Sequence, residues 1–313
     1  MTSRTTITVG TRGSELALWQ AEWVRKELQL RNPALTIETT IIKTTGDKIL
    51  DAPLSKIGDK GLFTKEIEKA LIDRTIDLAV HSLKDVPTNV AAGLVIGAIS
   101  EREDVRDVFV AHPKKKYSSF ADVPKNGTIA TGSLRRKCQL LSHHPDLHIV
   151  DIRGNLRTRK EKLDASDWDG MLLAKAGVTR LGWDSIICDT FSPVFILPAV
   201  GQGALGIEIR EDDEFLASLI APLNHLHTQQ ATTGERALLR FLEGGCQIPI
   251  GTFGRIENNL FVLDAIVGSL DGKRIVRGSI KGNPASSGDL GIELARDMLQ
   301  RGADAILKEI KPS

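Results

Sequence analysis

Short runs of β-branched and aliphatic residues recur along this chain of 313 residues, and each is followed by a turn and then by a helical pattern. This alternation is typical of an α/β fold, in which crossover helices cover a sheet. The first run is Ile7–Gly10, and Ser14 is a suitable N-cap for the helix that follows. That helix is predicted to pack on the sheet through an apolar stripe of four residues: Leu16, Trp19, Trp23 and Leu28.

The alternating pattern occurs twice. The first set of strands and helices runs to about residue 100, and a second set in the same style begins near residue 105. The charged segment between them, EREDVRD, is either a hinge or a solvated loop. The strand-like run ALGIEI at residues 204–209 indicates that the chain then crosses back to the first set.

From residue 224 the pattern changes to α+β, with one helix, three strands and a final helix from about Leu290. Asp271-Gly272 predicts a hairpin turn between the last two strands. We therefore predict two doubly wound α/β domains and a small α+β domain with a three-stranded antiparallel sheet. Domain 1 comprises residues 1–100 and 200–222, domain 2 comprises 105–197, and domain 3 comprises 224–313.

The composition excludes several classes of protein. The net charge is +1 and aromatic residues make up 4% of the chain, which supplies neither the basic face nor the stacking rings of a nucleic-acid binder. No apolar run approaches the roughly 18 residues that span a bilayer, so no membrane association is expected. The N-terminal residues lack the apolar core of a signal peptide, which favours a cytoplasmic protein.

Cysteine, histidine and glycine patterns predict neither a metal site nor a nucleotide site. His144 and His148 are separated by Pro145, so they are not expected to share a helix face as zinc ligands do. Gly201–Gly206 matches G-x-G-x-x-G, but a strand-like run follows where a dinucleotide site needs a helix. We interpret it as a tight crossover. The cysteines are widely spaced and odd in number, which argues against disulfides: Cys138, Cys188 and Cys246.

Arginines recur just after the predicted strands, in turns or first helical turns, where doubly wound sheets bind ligands. The guanidinium fork matches a carboxylate, and helix N-termini add N–H donors. A substrate with several carboxylates is the simplest partner for this set: Arg12, Arg135, Arg136, Arg153, Arg159 and Arg180.

Three further features each allow two interpretations. Residues 46–63, rich in lysine and glycine, form a basic lid over an anionic substrate or a flexible insertion. Asp85 follows a predicted strand, where its carboxylate stabilises a cation formed in a reaction or only shapes a turn. Cys246 lies in the turn Gly244-Gly245-Cys246-Gln247 and is either a buried inert thiol or a group that a bulky partner approaches closely.

Eight segments resemble the porphobilinogen deaminase (hydroxymethylbilane synthase) family, in the same order and over almost the whole chain. They are TRGSELALWQA, KGLFTKEIEKAL, DLAVHSLKDVP, EREDVRD, GSLRR, DIRGNLRTR, LPAVGQGALGIE and LEGGCQIPIG. The resemblance implies three domains, the first two like the halves of a periplasmic binding protein. It also implies a dipyrromethane cofactor joined by a thioether to Cys246, and porphobilinogen as substrate. We further expect a monomer.

The resemblance assigns roles to individual positions. Asp85 looks like the catalytic aspartate, and residues 56–63 look like a mobile lid with Lys56, Lys60 and Phe63. Residues that resemble cofactor contacts are Lys84, Asp85, Ser133, Arg135, Arg136 and Gln202. Residues that resemble substrate contacts are Arg12, Ser14, Arg153, Arg159, Arg180 and Gly203. The sequence departs from the usual family residues at Asp59, Gly132 and Arg157.

The implied reaction is a transferase reaction in tetrapyrrole biosynthesis. Porphobilinogen loses ammonia to give an azafulvene cation, which the free α-carbon of the terminal pyrrole attacks. Four such couplings give hydroxymethylbilane after hydrolysis. One ionised carboxylate such as Asp85 can stabilise the cation in a site rich in arginine. The alternative is an anion-binding protein of the periplasmic type, which would not need the domain that contains Cys246.

Overall fold

The chain is described here by a computed structural model that covers residues 4–48, 61–242 and 248–310. The described residues form two compact units. Unit 1 contains the described residues up to Glu103 together with Gly203–Gln229, and unit 2 contains Asp104–Gln202 together with the described residues from Gln230 onward. In these parts of the chain we find no helix with the length and apolar character to cross a membrane.

Unit 1 is built on a five-stranded mixed sheet. Its strands are β1 (Thr6–Thr11), β2 (Thr36–Ile41), β3 (Leu78–Ser82), β4 (Leu94–Ile99) and, from later in the chain, β10 (Leu205–Arg210). They lie in the order β2-β1-β3-β10-β4. Because β1, β2 and β3 are parallel, all three end at one edge, which we call the carboxyl edge of unit 1, whereas β10 is antiparallel to β3 and β4.

Four helical segments accompany this sheet: α1 (Glu15–Arg31), the single turn α2 (Thr45–Lys48), α3 (Lys65–Ile72) and α7 (Glu214–Ile220). Helix α1 packs on the sheet, with Val24 and Leu28 in one core cluster with Ile7 and Val9 of β1. Single 3₁₀ turns in the described chain include Leu83–Asp85, Phe120–Asp122, Asp184–Ile186, Ala221–Leu223 and Pro284–Ser286.

The buried face of α1 differs from the predicted one. Trp19 is 38% exposed, so its predicted place in the packed stripe is wrong. Gln20 is buried instead, and its amide donates a hydrogen bond to Ser82 Oγ at 2.8 Å. The residues that face the core are Ala17, Gln20, Ala21, Val24 and Leu28. The predicted stripe contained only large apolar side chains, whereas two of the buried residues are the small Ala17 and Ala21.

Unit 2 contains a second five-stranded mixed sheet. Its strands are β5 (Asp107–Ala111), β6 (Thr128–Ala130), β7 (His148–Val150), β8 (Gly170–Ala174) and β9 (Asp189–Thr190), in the order β7-β6-β8-β5-β9. Its helices are α4 (Leu134–His143), α5 (Leu156–Asp164) and α6 (Lys175–Arg180). The parallel strands β6, β7 and β8 define the carboxyl edge of unit 2, and β5 runs antiparallel to β8 and β9.

A three-stranded antiparallel sheet completes unit 2. Its strands β11 (Ile250–Glu257), β12 (Leu260–Gly268) and β13 (Ile275–Gly282) lie in chain order. Three helices accompany it: α8 (Leu226–Phe241), whose first turn belongs to unit 1, α9 (Ser287–Met298) and α10 (Asp304–Ile310). The last two are separated by a kink at Leu299–Ala303, where Gly302 has a φ of 102°. The predicted turn between β12 and β13 is confirmed, and Gly272 adopts a φ of 72° there.

The predicted fold class is therefore confirmed, with two α/β sheets and one small α+β sheet. Both larger sheets are mixed, because β10 is antiparallel to its two neighbours in the first sheet and β5 is antiparallel to its two neighbours in the second. The run ALGIEI forms β10, as predicted. The division of unit 2 into a second and a third domain stays a prediction.

Candidate functional site

The carboxyl edge of unit 1 brings together several of the predicted site residues. Arg12 follows β1 directly, and Lys84 and Asp85 occupy the 3₁₀ turn that follows the neighbouring strand β3. The side chains of Lys84 and Asp85 are half-buried. The turn is held by the Leu83 N–H, which donates to the carbonyl of Ala204 at 3.0 Å. Asp85 is therefore presented from a fixed backbone beside an arginine-bearing strand end.

Arg12 is oriented by an acid and an aromatic ring. Its Nε donates to Asp47 Oδ1 at 3.2 Å, and Thr44 Oγ1 donates to Asp47 Oδ2 at 2.7 Å. Burial raises the pKa of Asp47, but the hydrogen bonds from Arg12 and Thr44 outweigh it and hold that pKa below its ordinary value. The guanidinium lies 4.1 Å from the centre of the Phe63 ring, a cation–π distance. The structure thus brings the predicted lid residue Phe63 to the predicted substrate contact Arg12.

Two predicted serine contacts are helix N-caps. Ser14 Oγ accepts a hydrogen bond from the Ala17 N–H at 3.3 Å, and Ser133 Oγ accepts one from the Arg136 N–H at 3.4 Å. A capping hydroxyl uses a lone pair and keeps its O–H as a donor. Helices α1 and α4 therefore each present a hydroxyl at a terminus whose dipole favours an anion.

Unit 2 contains a buried pair of arginines around one carboxylate. Asp107, at the start of β5, is fully buried, and Arg135 and Arg136 are 4% and 5% exposed. Arg135 Nη1 donates to Asp107 Oδ2 and Arg136 Nη2 donates to Asp107 Oδ1, each at 2.7 Å. Gln202 Nε2 donates to the same carboxylate at 2.9 Å. Three predicted cofactor contacts are thus brought together by one acid.

Backbone carbonyl groups accept further hydrogen bonds from this arginine pair. Arg135 Nη1 also donates to the Leu197 carbonyl at 2.7 Å, and Arg136 Nη1 donates to the Leu172 carbonyl at 2.9 Å. The Nε atom of each arginine is buried and has no hydrogen-bond partner among the described residues. Buried donors of this kind are rare in folded proteins. They fit a bound group that carries carboxylates, as a dipyrromethane does.

The other predicted arginines of unit 2 follow β7 and β8. Arg153 is 9% exposed, and burial lowers its pKa. Arg159 lies in the first turn of α5, where its Nε donates to the Gly154 carbonyl at 2.9 Å. Arg180 departs from the prediction of a turn or first helical turn, because it is the last residue of α6. At that position its positive charge interacts favourably with the negative, C-terminal end of the helix dipole.

The G-x-G-x-x-G motif is explained by backbone geometry. Gly203 adopts a φ of +93°, and a Cβ there would lie 2.4 Å from the carbonyl oxygen of Glu103. The Glu103 N–H donates back to the Gly203 carbonyl at 3.2 Å. Strand β10 begins within the motif, at Leu205, so the predicted crossover is confirmed. Gly132, one of the family departures, is similarly constrained, because a Cβ would lie 2.7 Å from the Ile152 carbonyl oxygen.

Three predicted site residues lie outside the described residues: the cofactor anchor Cys246 and the lid residues Lys56 and Lys60. The described chain reaches Leu242 after α8 and resumes at Ile248 before β11. The sequence predictions for these three residues stand unchanged.

Sequence reasoning missed two acids that are buried within strands. Asp107 organises the arginine pair, and Glu208 of β10 lies 2.9 Å from His81 Nε2 of β3, with both side chains buried. Burial and the nearby Glu208 raise the pKa of Glu68 on α3. A signal existed, since each missed acid belongs to a run that is otherwise apolar, and a buried charge requires a partner. The partners lie far along the chain and could not be named.

A cavity of about 460 Å³ in unit 1 lies away from these residues. It opens where β10 ends and β4 begins, and Ile209 pairs with Leu78 at the start of β3. This is the edge opposite Asp85. The lining includes the ion-paired side chains of Arg74 and Asp212, which are both exposed.

In the described ranges, no three or more His, Cys, Asp or Glu side chains are grouped so that they could hold a metal ion. The histidines considered in the sequence fall on different elements. His144 follows α4, and His148 is the first residue of β7.

Family models match most of the chain. Residues 7–218 match the model described as "Porphobilinogen deaminase, dipyromethane cofactor binding domain", and residues 229–300 match "Porphobilinogen deaminase, C-terminal domain". Porphobilinogen deaminase of Chlorobium phaeobacteroides strain BS1 is 52% identical over 307 residues, which cover 97% of each chain. That of Desulforamulus reducens is 46% identical over 305 residues, 97% of this chain and 98% of the relative.

Solved structures with a related outline include two periplasmic domains. The Bordetella pertussis BvgS periplasmic VFT2 domain aligns with a TM-score of 0.42 at 14% identity, over 70% of this chain and 87% of that one. The aliphatic sulphonate binding protein SsuA of Escherichia coli gives 0.40 at 14% identity, over 76% and 70%. Both TM-scores are below 0.5, so the fold assignment rests on the sheet order alone.

Proposed function

Because this chain belongs to the porphobilinogen deaminase family, we propose that Asp85 is its catalytic carboxylate and that the arginines at the two carboxyl edges bind carboxylates of the pyrroles. The chain is a transferase that acts on porphobilinogen, and its larger family domain binds a dipyrromethane cofactor. The observation that carries the proposed site is the buried pair Arg135 and Arg136, whose Nε–H groups lack partners in the described chain.

Asp85 supports the step in which positive charge develops. When porphobilinogen loses ammonia, the electron pair of the breaking C–N bond leaves with nitrogen, and the remaining azafulvene carries a cation. When bound, the dipyrromethane would supply the pyrrole α-carbon for the new C–C bond, and the proton displaced there would need an acceptor. A carboxylate held on the rigid 3₁₀ turn after β3 stabilises that cation without reorganising, and it can accept a proton as the ring becomes aromatic again.

The arginines bind and orient. Porphobilinogen carries an acetate and a propionate, so every pyrrole added brings two carboxylates. Arg12, paired with Asp47, is suited to an exchangeable substrate because it is half-buried. The arginines of unit 2 form the larger group that we assign to pyrrole carboxylates: Arg135, Arg136, Arg153, Arg159 and Arg180. Ser14, Lys84, Ser133, Gln202 and Gly203 add hydrogen bonds or a close backbone approach.

The proposed anchor is Cys246, and the proposed lid contains Lys56, Lys60 and Phe63. The dipyrromethane supplies the terminal pyrrole carbon from which the chain grows. The thiol of Cys246 holds it and does not turn over. The widely spaced cysteines favour a reducing compartment, and we further propose a cytoplasmic monomer, which gel filtration with light scattering of the purified protein would check.

The anchor is tested by intact-protein mass. Protein purified from cells that make porphobilinogen should be heavier than its sequence by two porphobilinogen units less two ammonia molecules. Cys246→Ser should abolish this increment, whereas Cys138→Ser and Cys188→Ser should retain it as matched controls. An unmodified wild-type mass, or an increment that survives in Cys246→Ser, would remove Cys246 from this role.

The role of Asp85 is tested by the nearly isosteric Asp85→Asn. This change removes the negative charge and the proton acceptor but keeps a hydrogen-bond acceptor. We expect turnover of cofactor-loaded enzyme to fall by roughly two to four orders of magnitude. The control is Asp146→Asn, an exposed aspartate. Activity of Asp85→Asn within about threefold of wild type, or about 0.65 kcal/mol of barrier, would exclude the catalytic role.

A further inference from the structure

The buried carboxylate Asp107 neither touches a reacting atom nor belongs to the set of residues assigned above. It nevertheless contacts three residues of that set. Its two oxygens accept hydrogen bonds from both arginines and from Gln202, at 2.7 to 2.9 Å. Because Asp107 is fully buried, these contacts are shielded from water.

The charges of this cluster do not cancel. Two guanidiniums surround one carboxylate, and all three groups are more than nine-tenths buried, so one positive charge is in excess. Burial raises the pKa of Asp107, but the two arginines outweigh burial and hold that pKa well below its ordinary value. Asp107 therefore stays ionised at neutral pH. Burial lowers the pKa of Arg135 and Asp107 opposes that shift, but a guanidinium is not deprotonated at neutral pH, so the excess charge remains. A buried excess charge is costly unless an opposite charge meets it.

The hydrogen bonds within the described chain also leave two buried arginine N–H groups without an acceptor. Asp107, Leu197 and Leu172 take N–H groups at the Nη positions, whereas Nε of Arg135 and Nε of Arg136 have no partner within the described chain. We propose that Asp107 is a positioning residue that turns the two arginines so that their Nε–H groups and one net positive charge face a pyrrole carboxylate of the dipyrromethane. This inference rests on the proposed function and assigns Asp107 a part in it.

The matched pair of variants is Asp107→Asn and Asp104→Asn. The first change would put an amide NH₂ group against arginine or Gln202 donors and would leave two uncompensated guanidiniums. Asp104 lies three residues earlier, is half-buried and pairs with Arg106 and Lys175, so its replacement removes the same charge outside the cluster. Apoprotein from cells that lack porphobilinogen would be mixed with hydroxymethylbilane, and the mass increment followed in time.

We expect cofactor attachment to be at least tenfold slower in Asp107→Asn and within twofold of wild type in Asp104→Asn. Attachment in Asp107→Asn within twofold of wild type would overturn the inference and leave the proposed function intact. An increment in Cys246→Ser would instead count against the proposed anchor. The two failures are therefore distinguishable.

Arginine side-chain NMR separates positioning from a merely structural role. The Nε–H signals that disappear in Arg135→Lys and Arg136→Lys identify the two groups in the wild type. They should shift when the cofactor attaches, and in apo Asp107→Asn they should already differ from their wild-type positions. Signals that do not move on attachment would overturn the inference, even if Asp107→Asn fails to fold. Wild-type positions in folded Asp107→Asn would also overturn it.

Discussion

At the scale of single residues, most charged groups of the candidate site are arginines. A few acidic partners fix the orientation of their guanidinium groups. Arg12 is directed by Asp47, and the arginine pair of unit 2 is directed by Asp107. The two acids differ in exposure, since the Asp47 side chain is 29% exposed and that of Asp107 is fully buried. Replacement of Asp47 should be tolerated, whereas replacement of Asp107 leaves buried guanidinium groups without their counter-charge.

The Asp47 pair gives a pH-dependent prediction. Its lowered pKa means that the pair stabilises the fold fully above the unfolded-state pKa of about 3.9, and that this stabilisation is lost as the pH falls through the folded-state pKa. Asp47→Asn should therefore lower the free energy of unfolding by about 1 kcal/mol or less at pH 6. Urea unfolding at several pH values should show the difference from wild type shrinking between pH 5 and pH 3. A constant difference would contradict the prediction.

Most of the candidate arginines were predictable because they lie soon after apolar strands, and strand ends have a known place in α/β sheets. Their acidic partners were not predictable. Asp107 lies 28 residues from Arg135, and Glu208 lies 127 residues from His81. Such pairs depend on the order of strands in a sheet, and a pattern along the chain does not contain that order.

At the scale of elements, two helices begin with serines that serve both as caps and as candidate ligand contacts. The strand and helix patterns were predicted well because periodicity is local. In α1, the predicted packing of Trp23 and Leu28 is confirmed, whereas that of Trp19 was wrong because alanines make the close contacts instead. The predicted position of Arg180 was wrong because it depends on the length of α6. Element existence was thus more predictable than element contacts.

Ser133 allows its two roles to be separated. Replacement by alanine removes both the cap and the hydroxyl and should cost about 1 kcal/mol of stability, whereas glycine is a tolerated cap and should cost only a few tenths. If the hydroxyl contacts a pyrrole carboxylate, both variants should slow cofactor attachment equally. Thermal unfolding and the mass time course check this. Attachment that follows stability instead of the missing hydroxyl would limit Ser133 to capping.

At the scale of the molecule, the buried acid Glu235 ties strand β11 to the turn that precedes the crossover, both within unit 2. Glu235 of α8 accepts the Gly201 N–H through Oε2 and the Gly254 N–H through Oε1, both at 2.7 Å. Gly201 precedes Gln202, a partner of Asp107, and Gly254 belongs to β11. The helix that leads toward Cys246 is therefore tied to the crossover beside the arginine cluster.

Glu235→Gln tests this joint. The new NH₂ group must face one of the two backbone donors, so one hydrogen bond is lost and a buried donor stays unsatisfied. We expect the free energy of unfolding to fall by about 1–3 kcal/mol. Glu293→Gln, at an exposed position of α9, should change it by less than about 0.5 kcal/mol. Equal effects in denaturant unfolding would argue against the joint.

The position of β10 has a consequence for the protein while it is being made. This strand lies between β3 and β4, and its Glu208 pairs with His81, yet it is translated about 100 residues after β4. All five strands of the second sheet, at residues 107–190, leave the ribosome before β10 does. Domains can fold during synthesis once their strands are present. Ribosome-bound chains should therefore show protease resistance in residues 104–196 before residues 61–100, and the turn at Asp85 should be among the last parts to become ordered.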